Sequence, residues 1–91
     1  MMNSDPPSAA QILDDPEWVL LQTIEELAID PLGVAAEEGA IDGAARRTGY
    51  DAARIGAALS TLIEKHVLVG FGEGAVQITQ LGRDLLAARR I

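Results

Sequence analysis

The hydrophobic positions of this chain keep a helical period, drop briefly into a strand-like one, and return to a helical period. From about Pro16 to Ile29, the residues Trp18, Leu21, Ile24, Leu27 and Ala28 recur at three- and four-residue spacing, as on the inward stripe of an amphipathic helix. Glu17, Glu25 and Glu26 fall off that stripe. Asp15 is placed to cap this helix, Pro16 suits its first position, and Asp30-Pro31 stops or sharply kinks it. Further on, Asp42 is a suitable cap for a short second helix, Gly43 to Thr48, which Gly49 can end in the left-handed conformation. Asp51 caps a third helix from Ala52 to about Lys65, with Ile55, Leu59, Leu62 and Ile63 facing inward. After His66 the pattern becomes strand-like. Val67-Leu68-Val69 and Ala75-Val76-Gln77-Ile78 flank the turn-forming Gly70-Phe71-Gly72-Glu73-Gly74, which predicts a hairpin. Thr79 caps a last helix with Leu81, Leu85 and Leu86 on one face and Arg83, Arg89 and Arg90 along its middle and C-terminal end.

The remaining segments are less patterned. Residues 1–8 read as a flexible tail, polar and twice interrupted by proline, with Ser8 able to cap a short turn through Leu13. Leu32 to Glu38 fits one or two further helical turns ended by Gly39. One folded domain therefore spans 9–91, divided into an acidic helical segment (9–40), a helix-turn-helix with hairpin (41–79) and a C-terminal helix (80–91). The expected class is α+β and mostly helical.

The segment Arg46 to Leu86 resembles the winged helix-turn-helix of small transcriptional regulators of the MarR and PadR kinds. The resemblance rests on Thr48-Gly49 at the turn, Asp51 at the start of the third helix and the spacing Leu59, Leu62, Ile63, Val67 into the first wing strand. The step Ile78-Thr79-Gln80-Leu81-Gly82-Arg83 from the second wing strand into the last helix is similar too. It implies a three-helix core, a two-stranded wing and a C-terminal helix, with the third helix entering the major groove of DNA. The exposed residues it would present there are Asp51, Ala52, Ala53, Arg54, Ala57, Ser60 and Thr61, with Ser60 open to a second placement toward the core. Only Arg54 among these suits bidentate guanine contact. The family's wing brings cations to the duplex, whereas this tip is Gly72-Glu73-Gly74. In such regulators the flanking helices build a homodimer, which nominates Trp18, Leu21, Leu85 and Leu86 as interface anchors.

Charge sharpens the question. Residues 1–42 hold ten carboxylates and no Lys or Arg, while residues 43–91 hold seven cations against four carboxylates. The two parts carry −10 and +3, giving −7 for 91 residues. The acidic part reads either as a solvated helix face or as a surface for another protein. Arg46 and Arg47 on the second helix, with Arg54, Thr61 and Lys65, are the candidate DNA contacts. Four phosphate contacts would give a salt slope of about −3.6. Alternatively, Arg46 and Arg47 pair with the acidic first helix. Trp18 likewise has two readings, core residue or dimer contact.

Composition removes other classes. With no cysteine, disulfides, thiolate metal sites and cysteine nucleophiles are excluded. A single histidine, His66, makes a two-histidine metal site impossible within one chain. The neighbouring pairs Glu25-Glu26 and Glu37-Glu38 diverge on a helix and make no acid/base couple. Gly70, Gly72 and Gly74 lack the lysine of a phosphate-binding loop. No apolar run reaches the roughly 18–20 residues needed to span a bilayer, and the first ten residues lack the pattern of a secretory signal. The expectation is a cytoplasmic, non-enzymatic protein without cofactor. It is either a dimeric DNA-binding regulator or a winged-helix module that docks another protein.

Overall fold

The computed structural model of the chain describes residues 13–28 and 32–90. The proposed tail, the Ser8 cap and the Asp30-Pro31 stop lie outside the described residues. In chain order the elements are α1 (Asp15–Leu27), β1 (Val34–Ala36), α2 (Glu37–Thr48), α3 (Ala52–Glu64), β2 (Leu68–Gly70), β3 (Ala75–Ile78) and α4 (Gln80–Arg90). The strands form an antiparallel sheet in the order β1-β3-β2.

The chain is thus α+β, with a three-stranded sheet where the sequence predicts a two-stranded hairpin. The added strand is β1, which occupies the segment expected to be helical turns. Val34 pairs with Gln77, Ala35 with Val76 and Ala36 with Ala75, and the Ile78 amide donates to the Gly33 carbonyl at 2.9 Å. A partner some forty residues away decides the conformation of a segment in which one strand-favouring valine is followed by two alanines that do not favour strands. The same partner starts α2. Ala36 has no capping side chain, but the Glu37 amide donates to the Gly74 carbonyl of the hairpin tip at 2.9 Å. The helix therefore begins at Glu37 and runs through Gly39, and Asp42 is an interior residue rather than its cap.

Helix α1 is capped by Asp14, one residue earlier than expected. The Glu17 amide donates to the Asp14 carboxylate and the Asp14 amide to the Glu17 carboxylate, each at 3.1 Å. Asp14 wins over Asp15 because only Asp14 has a glutamate three residues on to close the reciprocal pair. Helix α3 begins where the sequence places it, with the Asp51 carboxylate accepting from the Arg54 amide at 2.8 Å. Gly49 ends α2 at φ +81°, a conformation that strains a residue bearing Cβ. The end of α3 carries no such sequence signal. There the Val67 amide donates to the Leu62 carbonyl and the His66 amide to that of Ile63. This is a Schellman closure with His66, at φ +65°, in the place usually held by glycine.

The core is built on Trp18, Leu20, Leu21 and Ile24 of α1, Ile55 and Leu62 of α3, and Val67, Leu68 and Val76 of the hairpin, all fully buried. Each such aliphatic side chain contributes about 1.5–3 kcal/mol relative to exposure. Three stripe predictions shift. On α3 the inward set is Ile55, Ala58, Leu59 and Leu62, while Ile63 lies outside it, 38% exposed. On α4 Leu85 and Leu86 face in but Leu81 is exposed, and Gly82 holds the buried position. A Cβ on Gly82 would stand 2.6 Å from the Val67 carbonyl, so only glycine permits this approach of α4 to the residue that precedes β2. On α1 Leu27 is exposed and Glu17 is buried; Glu17 therefore joins the inward surface instead of the solvent face.

Candidate partner-binding surface

The turn at Gly49 sets α2 and α3 side by side, and α1 packs against both. This arrangement decides the fate of the candidate DNA contacts. Arg46 Nη2 lies 2.7 Å from Asp42 Oδ2, one helical turn back on α2. Arg47 donates to the Glu26 carboxylate on α1 and, at 3.2 Å, to the Thr23 hydroxyl, which in turn donates to the Val19 carbonyl. Arg54 Nη2 stands 3.7 Å from Asp14 Oδ2 and its guanidinium 5.6 Å from the centre of the Tyr50 ring. Lys65 Nζ donates to Glu17 Oε1 at 2.9 Å. The Thr61 hydroxyl donates to the Ala57 carbonyl of its own helix at 3.0 Å.

Each of the four cations is therefore beside a carboxylate, and three of those carboxylates belong to α1 or its cap. The second reading of Arg47, as a partner of the acidic first helix, is the arrangement present. The hydrogen bond from Arg47 holds the Glu26 carboxyl below its ordinary pKa, and the carboxylate raises that of Arg47. Both groups are at the surface, so this pairing is open to screening by salt.

The outward face of α3 is otherwise small. Ala52, Ala53, Ala57 and Ser60 are all exposed; of the two placements open to Ser60, the outward one is present. At the hairpin tip, Gly72, Glu73 and Gly74 are exposed as well. No sequence signal pointed to the other feature of this surface, a groove of about 470 Å³ between α2 and the start of α3. Ile41, Ala45 and Ala52 line it together with Glu38 and Asp42. Helical spacing accounts for it after the fact, since Glu38, Ile41, Asp42 and Ala45 recur at three and four residues on α2.

The nominated dimer anchors lie within the core of the single chain. Trp18, Leu21, Leu85 and Leu86 are 2%, 0%, 7% and 4% exposed, so their apolar surface is already used. Among the described residues, no helix is long and apolar enough to cross a membrane, and no group of three or more His, Asp and Glu side chains is placed to hold a metal ion. Comparison with family models, with curated proteins and with solved structures finds no match to this chain.

Proposed function

We propose that this chain is a winged-helix module that docks another protein through the α2–α3 face, in preference to DNA. The winged-helix reading is supported by the element order, the sheet order β1-β3-β2 and the capped turn between α2 and α3. The observation that carries the docking reading is that all four expected phosphate contacts are already beside carboxylates.

The strength of those pairs is not what opposes DNA. An exposed pair contributes only about 0–1 kcal/mol, and phosphates can compete for its cation. The cost lies in what remains. If a phosphate takes Arg46, Arg47 and Arg54, then Asp42, Glu26 and Asp14 are left unpaired close to the duplex, on a chain of net charge −7. Glu73 adds a further carboxylate at the wing tip. The same features suit a basic partner with an apolar face, because the groove offers Ile41, Ala45 and Ala52 alongside Glu38 and Asp42.

The test has two arms. Titration with a mixed-sequence DNA duplex at low salt gives no saturable binding, and titration with a helical Leu/Lys peptide moves the amide resonances of Ile41, Ala45 and Ala52. Ile41→Ser keeps every charge and weakens peptide binding several-fold. Tight DNA binding lost on replacing Arg46, Arg47 and Arg54 by alanine returns the protein to the regulator class. Peptide binding indifferent to Ile41→Ser reduces the groove to unspecific acidity.

A further inference from the structure

A second concavity, of about 270 Å³, lies where the first turn of α1, the end of α2, the Gly49 turn and the end of α4 meet. Asp15, Trp18, Arg47, Thr48, Tyr50 and Arg89 line it. Trp18 is 2% exposed, yet its indole Nε1–H has no hydrogen-bond partner among the described residues. An indole nitrogen can only donate, and a buried donor without an acceptor costs about 1–3 kcal/mol. In a native fold such a group is met by an ordered water, an ion or a ligand.

The other lining groups narrow what that acceptor is. Arg47 is committed to Glu26 and Thr23. The Thr48 hydroxyl donates to the Ala44 carbonyl and accepts from the Tyr50 amide. The Arg89 guanidinium lies over the Trp18 ring, 4.5 Å from its centre, and has no ion pair among the described residues. The notch is therefore lined by Trp18, with its unpartnered indole N–H, by the Arg89 guanidinium and by Tyr50, with Asp15 as the carboxylate among its lining residues.

We propose that this notch binds a carboxylate, received by the Trp18 indole N–H and the Arg89 guanidinium. A guanidinium fork matches a carboxylate in two parallel hydrogen bonds, and its stacking on Trp18 orients it in advance. Asp15 sets the charge limit: it tolerates a monoanion better than a dianion, and it offers an acceptor to an ammonium or hydroxyl group on the same ligand. The carboxylate can come from a free small acid or from an acidic side chain of a peptide. The site is separate from the α2–α3 groove and does not depend on the docking function.

Trp18 is the only tryptophan, so its indole resonance and fluorescence report this notch alone. The protein is titrated at constant ionic strength with acetate, with an end-blocked Ala-Asp-Ala peptide and with inorganic phosphate. Acetate and the peptide shift the indole N–H resonance saturably, in the millimolar range, and phosphate binds more weakly than acetate. A peptide affinity above that of acetate identifies a partner's side chain as the source; equal affinities identify a free acid. Arg89→Gln weakens binding about tenfold, or ~1.4 kcal/mol, while Asp15→Asn strengthens it. An indole resonance unmoved by both carboxylates overturns the proposal. So does a shift unchanged in Arg89→Gln, and phosphate binding tighter than acetate overturns the ligand class.

Discussion

Two ion pairs in this molecule have nearly the same length and opposite surroundings. Lys65 and Glu17 meet at 2.9 Å, with the Glu17 side chain 6% exposed; Arg46 and Asp42 meet at 2.7 Å, with the Asp42 side chain 60% exposed. The first joins residues 48 apart and bridges α1 to the end of α3. The second joins residues four apart on one helix. Distance says nothing about their difference in worth. A buried carboxylate that loses its cation keeps its desolvation cost, whereas an exposed one returns to water.

Four variants turn that contrast into measurements. The largest effect belongs to Glu17→Ala, which removes the partner of Lys65 and half of the α1 capping box together. It is expected to cost about 2 kcal/mol, a fall in Tm of ~10 °C for a domain of this size. Glu17→Gln keeps an acceptor for the Asp14 amide and recovers part of the loss; what it does not recover belongs to Lys65, and chemical denaturation separates the two.

An intermediate case is the Glu26–Arg47 pair, which joins two helices at the surface. The folded pKa of Glu26 lies below its unfolded value. The stabilisation is therefore fully present above the unfolded carboxylate pKa and is lost as pH falls through the lower, folded one. An NMR titration of the Glu26 side chain gives a depressed midpoint. Arg47→Met moves it up toward the ordinary carboxylate range, and an unchanged midpoint means that the pairing is not made in solution. The smallest effect is that of Asp42→Ala, about 0.2–0.5 kcal/mol by denaturation, and less at high salt. A loss as large as that of Glu17→Ala would mean that exposure is the wrong criterion.

The same divide between local and distant causes governs what could be read from the chain. The start of α3 was legible because Asp51 makes its own hydrogen bond to an amide three residues away, and the end of α2 because Gly49 alone suits φ +81°. The start of α2 was not, since its first amide is satisfied by Gly74, nearly forty residues on. Strand β1 was illegible for the same reason. So was the close of α3, where backbone hydrogen bonds to Leu62 and Ile63 and the bond from the distant Thr79 hydroxyl hold His66 in a conformation that its type seldom adopts. Among the candidate contacts, Arg46, Arg47, Arg54 and Lys65 could be named from the sequence as exposed cations. The carboxylate partners of Arg47, Arg54 and Lys65 depended on how α1 crosses α2 and α3, whereas Arg46 pairs with Asp42 on its own helix; the alternative that Arg46 and Arg47 pair with the first helix is met by Arg47 and not by Arg46. The notch at Trp18 gave no signal, because it joins residues from both ends of the described chain.

The Thr79 hydroxyl ties the molecule at a single atom. It accepts from the Gly82 amide at 3.1 Å and donates to the His66 carbonyl at 2.6 Å, with that of Val67 3.0 Å away. The contact with Val67 spans 12 residues and that between Glu17 and Lys65 spans 48. Two doublings of loop length add about 1.2 kcal/mol to the closure entropy of the longer contact. Opening and reclosing are therefore unequal along the chain: the knot that binds α3, the hairpin and α4 reforms sooner than the seat of α1. An excursion that frees α1 alone would uncover Arg47, Arg54 and Lys65 at once, presenting a transiently cationic surface on a protein whose resting surface is acidic.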